Sequence, residues 1–265
     1  MILQDKVVVI TGAAGGIGSA LARRFAAEKV GALVLADLDG DRVNALAGEL
    51  GDTEVMAADV DVTDEDQIAE LVNEALRQFT RIDLFCSNAG ITTGAGLEAT
   101  DEQWERIWSV NVLAHVYAAR AVLPSMLERG EGYLLQTCSA AGLLTSIGDA
   151  PYAVTKHAAV SFAEWLAITY GGQGIKVSAL CPQGVDTPML RQGLDSKHVG
   201  AQVVAAGGAV LSPDEVAESV VQGLADERML ILPHPEVAKY YQRRATDTDR
   251  WVAGMRNLIA SIAAP

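Results

Sequence analysis

The fold class this sequence predicts is α/β: a single Rossmann-type, doubly wound domain with a seven-stranded parallel sheet flanked by helices on both faces. Three observations carry it. Short apolar runs alternate strictly with longer amphipathic ones along all 265 residues. The apolar runs are nearly continuous rather than alternating, which suits strands buried on both faces. A glycine-rich turn joins the first apolar run to the first amphipathic stretch.

The expected strands are KVVVIT (6–11), ALVLAD (32–37), EVMAAD (54–59), IDLFCS (82–87), GYLLQTCS (132–139), IKVSALC (175–181) and MLILP (229–233). Helical patterns fill the gaps at about 16–29, 41–50, 64–79, 101–128, 152–171 and 213–226. Ser212-Pro213-Asp214-Glu215 is a helix start, with a cap, a proline at the first helical position and acids in the first turn. No linker, repeat or low-complexity tract interrupts the order, so residues 1–265 are expected to form one domain. Two segments break the rhythm. Residues 185–211 are long for a loop, and a loop of this length in a compact domain is expected to be functional, here a substrate lid. The tail 235–265, with Val237, Tyr241, Trp251, Met255, Leu258 and Ile262 as its apolar positions, is expected to form one or two helices on the rim or on a partner chain.

Composition narrows the function classes. The net charge is −14 and the pI about 4.6, which disfavours nucleic acid and anionic membranes as partners. No run of 18 apolar residues appears, and the N-terminus enters a strand without a basic leader. Cys86, Cys138 and Cys181 are odd in number, lack zinc spacing and each close an apolar run, as buried thiols of a reducing cytoplasm would. His115, His157, His198 and His234 form no metal-ligand pattern, so no metal is expected.

The turn VVVITGAAGGIGSALARRF places Gly12, Gly16 and Gly18 between strand and helix. Glycine lets the backbone approach a ligand, and a helix N-terminus offers free N–H groups to a pyrophosphate. Asp37 ends the second strand. A carboxylate there accepts hydrogen bonds from adenosine-ribose hydroxyls and repels a 2′-phosphate. With no Arg or Lys in 12–18 or 36–41, the expected cofactor is NAD rather than NADP.

Later residues fall into step with this turn. Asp59-Val60 follows the third strand, and Asn88-Ala89-Gly90 closes the fourth. Asn111 lies in WSVNVLAH. Ser139 stands 13 residues before Tyr152, and Lys156 four after it. Together with TGAAGGIG (11–18), these motifs resemble the short-chain dehydrogenase/reductase family, in its shorter branch, over nearly the full chain. The resemblance implies a catalytic tetrad of Asn111, Ser139, Tyr152 and Lys156. It also implies cofactor contacts from Gly12, Gly16, Ile17, Gly18, Asp37, Asp59, Val60, Asn88, Ala89, Gly90, Tyr152, Lys156, Pro182, Val185 and Thr187. One departure stands out: in CPQGVDTPM, Gln183 occupies a position that is usually glycine in the family.

The chemistry fits these residue types. Free tyrosine, with a pKa near ~10, is a poor base at neutral pH, and a cation one helical turn away is expected to lower that pKa. Ser139 would hold the substrate oxygen, and Asn111 would hold a water in contact with Lys156. The expected function is NAD-dependent interconversion of a hydrophobic secondary alcohol and its ketone, with Tyr152 as general acid/base. A cofactor-binding sensor or scaffold without turnover is the alternative, against which the intact tetrad argues. An epimerase of the extended branch would need more chain after the 213–226 helix. Ala141, Leu144, Ile147, Gln183 and Met189 are the candidate substrate contacts, with Leu143, Leu190 and TTGAG (92–96) beside them. The resemblance also implies a homo-oligomer, a tetramer first and a dimer second. Val112, Val116, Ala119, Val122, Ala159, Phe162, Ala163, Leu166 and Tyr170 are the expected outer faces of the pairing helices.

Overall fold

The computed structural model describes residues 1–263, so the last two positions of the 235–265 tail lie outside the described residues. The strands β1 (Val7–Thr11), β2 (Ala32–Asp37), β3 (Glu54–Asp59), β4 (Leu84–Ser87), β5 (Gly132–Thr137), β6 (Ile175–Leu180) and β7 (Leu230–Ile231) form one sheet in the order β3-β2-β1-β4-β5-β6-β7. Every pairing is parallel. The seven strands fall where the apolar runs predict, because only a strand covered on both sides can use VVVIT or ALVLAD without a polar alternate. The exception is β3, whose residues are mostly half-buried and whose ends are exposed, since it forms one edge of the sheet.

Helices α1 (Gly16–Ala27), α2 (Gly40–Glu49), α3 (Glu65–Phe79), α4 (Asp101–Trp108), α5 (Ala114–Arg129), α6 (Ala141–Leu144) and α7 (Ala150–Tyr170) alternate with the strands. After β6 come α8 (Pro188–Asp195), α9 (Val199–Ala206) and α10 (Pro213–Ala225), and after β7 come α11 (Glu236–Thr246) and α12 (Thr248–Ala263). Side-chain caps fix several starts: Asp39 accepts from the Arg42 amide, Asp64 from Asp66 and Gln67, and Thr100 and Ser212 form capping boxes with Gln103 and Glu215. Two apolar cores result. One lies under α3, α5 and α7 and includes Phe85, Leu134 and Val177. The other lies under α1 and α10 and includes Ile10, Leu21 and Leu180.

The helical run 101–129 carries a π-helical turn at Ser109–Leu113 that separates α4 from α5. Its most apolar stretch reaches a mean hydropathy of 1.2, long and apolar enough to cross a membrane by composition alone, yet 56% of that stretch is buried inside the fold. The outer-face assignment needs correction. Ala119, Val122, Ala159, Ala163 and Leu166 point into the core rather than outward. The apolar residues that α7 exposes are Val154, Trp165 and Ile168.

The 185–211 segment is not an irregular loop. It holds α8 and α9, and its two ends meet: Val185 and Leu211 form a parallel bridge, closed by Asp186 N–H to Leu211 C=O at 2.8 Å and Leu211 N–H to Gly184 C=O at 2.9 Å. Chain order reverses between β1 and β4, and the crevice beyond their C-terminal ends is where a doubly wound sheet binds its ligand.

Candidate active site

One cleft of about 1660 Å³ opens at this crevice. At one end stands the glycine turn. Gly12 has φ +63°, and a Cβ there would lie 2.8 Å from the Ala89 Cα. A Cβ on Gly16 would lie 2.6 Å from the Thr187 methyl. The backbone is therefore bare where β1, β4 and the start of the 185–211 segment converge. The first turn of α1 carries no acidic residue and no side-chain cap, so its N–H groups stay available to an anion. These features fit a dinucleotide pyrophosphate. Gly18 plays a different part: it lies outside the cleft lining, and its missing Cβ admits the Gly12 carbonyl and the Asn88 amide.

Asn88 braces the turn. Its Nδ2 donates to the Thr11 and Gly12 carbonyls at 3.1 and 3.2 Å, and its Oδ1 accepts from the Thr137 hydroxyl at 3.1 Å. Asp37 accepts from the Ala14 amide at 2.9 Å and lines the cleft. Arg42, which the sequence window stopped just short of, donates to the Ala14 carbonyl at 2.7 Å and lines the same end.

Asp59 is displaced from its expected place. It is exposed at the sheet edge with its Cβ beside Gly40 and does not line the cleft, whereas Val60, Asp61 and Val62 do. The sequence repeats the dipeptide, as Asp59-Val60 and Asp61-Val62, and β3 ends at the first, so only the second reaches past the strand end. Burial works against the Asp61 carboxylate, but two hydrogen bonds from Thr63, at 2.9 and 2.7 Å, hold its pKa below the ordinary value.

At the other end lie Ser139, Tyr152 and Lys156, all lining the cleft. Ser139 follows β5, and its Oγ accepts from the Ala141 amide at 3.1 Å. Its hydroxyl faces the Tyr152 phenol and favours the ionised form. Lys156 is 3% exposed, donates to the Thr137 carbonyl at 3.0 Å and stands 5.7 Å from the Tyr152 ring centroid. The expected lowering of the phenol is not what the structure gives. Burial pushes the Tyr152 pKa up to about 12, with Ser139 opposing and the Asp149 carboxylate adding to the rise. Burial likewise lowers that of Lys156.

Asn111 sits in the π-helical turn, fully buried. Its Nδ2 donates to the Ile91 carbonyl at 3.0 Å and to Thr155 Oγ1 at 3.2 Å, while its Oδ1 accepts from the Ile91 amide at 2.9 Å. Both amide protons are used, so this side chain secures the 88–91 turn to α7.

Asp149 is a cleft residue that sequence reasoning missed. It caps α7 by accepting from the Tyr152 amide at 3.0 Å. The same carboxylate accepts from the Thr93 amide at 3.0 Å, the Thr93 hydroxyl at 2.7 Å, the Gly94 amide at 2.8 Å and the Thr92 hydroxyl. An acid three residues before Tyr152 and directly ahead of Ala-Pro was the available signal, a helix N-cap. Nearby, His115 is buried against Gln136. Burial and the Lys156 charge drive its pKa down to about 3, so it is neutral at neutral pH.

The expected substrate residues Ala141, Leu144, Ile147, Gln183 and Met189 all line the cleft, as do Leu190, Thr92, Thr93 and Gly94; Leu143 is buried and does not. Pro182, Val185 and Thr187 line it between the two ends, with Ile17, Ala89 and Gly90. Gln183 has its Nε2 near the Cβ positions of Gly207 and Gly208, and its buried Oε1 has no partner among the described residues. The tail also contributes a wall that the sequence did not announce. Tyr240, Arg243, Arg250, Trp251, Met255 and Leu258 face this space.

A cleft with an anion cradle at one end and a tyrosine–lysine pair at the other suits a dinucleotide-linked oxidoreductase. The chain belongs to the short-chain dehydrogenase family, whose pattern it matches over residues 6–197, and it is an oxidoreductase of that family. It is 38% identical to the 1-deoxy-11-beta-hydroxypentalenate dehydrogenase of Streptomyces exfoliatus over 242 residues, covering 89% of this chain and 86% of that one. It is 34% identical to the meso-2,3-butanediol dehydrogenase of Serratia marcescens, covering 87% and 92%. A short-chain dehydrogenase/reductase from Burkholderia phymatum, solved in complex with NAD, superposes with a TM-score of 0.86 at 29% identity, covering 94% of this chain and 96% of that one.

Proposed function

We propose that this protein uses NAD to interconvert a hydrophobic secondary alcohol and its ketone, with Tyr152 as general acid/base. The observation that carries this reading is the convergence of Ser139, Tyr152 and Lys156 on the cleft that also holds the bare glycine turn and Asp37. The dehydrogenases named above, and the NAD complex of the structural relative, support it.

Gly12, Gly16 and Ile17 would hold the pyrophosphate, Asp37 the adenosine ribose, and Val60 with Asp61 the adenine side. Asn88, Ala89, Gly90, Pro182, Val185 and Thr187 would line the nicotinamide half. The cofactor, when bound, takes or returns the hydride. The protein's part is the proton and the geometry. Tyr152 Oη gives its proton to the carbonyl oxygen in reduction and recovers it in oxidation. Ser139 Oγ donates to the same oxygen as charge builds on it. Lys156, held by the Thr137 carbonyl, supplies a fixed positive charge behind the phenol. Asn111 keeps the 88–91 turn in register with α7.

Residues 1–265 act as one catalytic domain. Residues 185–211 form its lid and 235–265 its helical tail. The bridge between Val185 and Leu211 supports a lid that moves as a unit on a fixed base. A homo-oligomer, a tetramer in the first instance, is supported by the exposed Val154, Trp165 and Ile168 on α7 and Trp108 on α4. Three free, buried thiols fit a reducing, cytoplasmic setting.

The test is incubation with NAD and a panel of apolar secondary alcohols, followed at the reduced-nicotinamide absorbance band. Growth of that band with wild type and its loss in Tyr152→Phe is the expected result. NAD binding with no turnover of any alcohol or ketone would favour the scaffold reading instead.

A further inference from the structure

The wall contributed by α11 and α12 differs in character from the rest of the substrate end. Leu144, Ile147 and Met189 present carbon, but the tail adds two guanidinium groups, those of Arg243 and Arg250. Their positions follow from helix periodicity. Tyr240 and Arg243 share one face of α11, and Arg250, Trp251, Met255 and Leu258 share one face of α12, so both faces turn to the cleft together. The tail is docked where these groups matter. Arg244, adjacent to Arg243, donates to the Leu143 carbonyl, four residues beyond Ser139. Tyr240 meets Trp251 at 6.3 Å between ring centroids, and Val237 is fully buried beneath them.

Both arginines are exposed at the cleft, and neither guanidinium is held by the fold. In a chain of 34 acids and 20 bases, a surface arginine readily finds a carboxylate. Arg23, Arg24, Arg77, Arg81, Arg120, Arg191 and Arg228 have each done so. Among the described residues, neither Arg243 nor Arg250 makes an ion pair or a guanidinium hydrogen bond, a state they share with Arg106 in the same cleft and with Arg256. The acids at this end, Asp149 and Asp247, pair with neither. Asp149 is buried and accepts from five donors, and Asp247 caps α12 by accepting from the Arg250 amide at 2.9 Å.

We infer that the substrate is an apolar alcohol or ketone bearing an anionic group, a carboxylate or similar oxyanion, which Arg243 and Arg250 receive while its carbon body lies against Leu144, Met189 and Trp251. Guanidinium forks suit such oxyanions geometrically. The inference rests on the alcohol–ketone reading above, and deepens it by naming the far end of the substrate.

Two measurements test it. The first is calorimetric binding of linear C6–C12 carboxylates and their methyl esters to the NAD-loaded protein, which needs no turnover. At least one carboxylate is expected to bind ~10-fold or more tightly than its ester. The Arg243→Gln/Arg250→Gln double variant is expected to erase that difference while leaving ester binding in place. Equal binding of acids and esters by the wild type would overturn the inference, and so would a variant that weakens both alike. The second compares hydroxy acids with their esters as substrates. The double variant should raise KM for the acid and leave kcat and the ester's KM nearly unchanged. If carboxylates bind as expected but no alcohol turns over, the alcohol–ketone reading fails and the arginine site stands.

Discussion

The Asp149 carboxylate accepts the Tyr152 backbone amide at 3.0 Å and the Thr93 hydroxyl at 2.7 Å. A single acid therefore ties the helix that carries the phenol to the loop that walls the substrate end. Its position is local sequence logic, an N-cap, but its reach is tertiary.

Removing it should show in both stability and rate. Asp149→Ala loses a cap, worth about 1 kcal/mol, and takes the acceptor from the part-buried bonds of the Thr93 and Gly94 amides, worth about 0.5–1.5 kcal/mol each. Scanning calorimetry should show a Tm lower by roughly 5–15 °C, at about 2–4 °C per kcal/mol for a chain of this size. kcat should fall as well, because Tyr152 and the 92–94 loop lose their common reference. An unchanged Tm would mean that the capped start of α7 holds itself.

The phenol's environment sets a pH dependence. Burial raises the Tyr152 pKa to about 12, so the group is protonated at neutral pH and ready to act as an acid. Ketone reduction should therefore be near its plateau at pH 7. Alcohol oxidation needs the deprotonated form, and its kcat should climb with pH through the alkaline range. Tyr152→Phe should retain less than about a tenth of kcat in either direction, since such a group contributes ~10²–10⁴-fold. Lys156→Ala should weaken NAD binding and turnover together. Stopped-flow rates across pH would sink the assignment if oxidation were flat from pH 7 to 10.

How much of this was legible beforehand depended on whether a feature is periodic or relational. All seven strands and the order of the motifs could be read, because a doubly covered strand must be apolar throughout and a glycine turn must sit between β1 and α1. The inward faces of α5 and α7 were misassigned. Helices that are apolar nearly all round, with Ala159, Ala163 and Val122 among many candidates, do not announce which side meets the sheet. Asp61 lost to Asp59 because a repeated Asp-Val looks the same twice, and only the end of β3 decides between them. Arg42, Arg243 and Asp149 reach their sites across turns or from distant elements, and no local pattern records that.

Cofactor choice follows from Asp37, now with Arg42 beside it. We expect NAD to be preferred over NADP by ~10-fold or more in kcat/KM, which requires only about 1.4 kcal/mol. Asp37→Ala removes the charge that repels a 2′-phosphate and leaves the Arg42 guanidinium at the same end of the cleft. The variant should therefore gain activity with NADP as it loses activity with NAD. Comparable wild-type activity with both cofactors would contradict this.

Assembly should depend on α7. Val154 is 48% exposed, Trp165 52% and Ile168 84%, an apolar stripe on one helix face. Light scattering at micromolar concentration should give a multiple of 27.9 kDa, and Trp165→Glu with Ile168→Glu should reduce it. A wild-type monomer would refute the proposal.

The proposed lid, 185–211, gives the last test. Its base is fixed by the Val185–Leu211 bridge, and Thr187 touches Gly16 in the cofactor cradle, so cofactor binding should order the segment from its root. Gln183 lies under the far side, with its Nε2 toward Gly207 and its Oε1 buried without a partner among the described residues. A buried, unsatisfied amide oxygen is costly, so this side chain is poised to gain a donor when the lid or a substrate settles. Hydrogen exchange should show residues 188–206 protected on addition of NAD. Gln183→Gly should then separate two roles. If the amide meets substrate, kcat/KM should drop more for alcohols carrying a second polar group than for plain ones. If it only meets the lid backbone, all substrates should lose equally and the NAD-dependent protection should weaken. Protection that is identical with and without NAD would remove the lid from the mechanism.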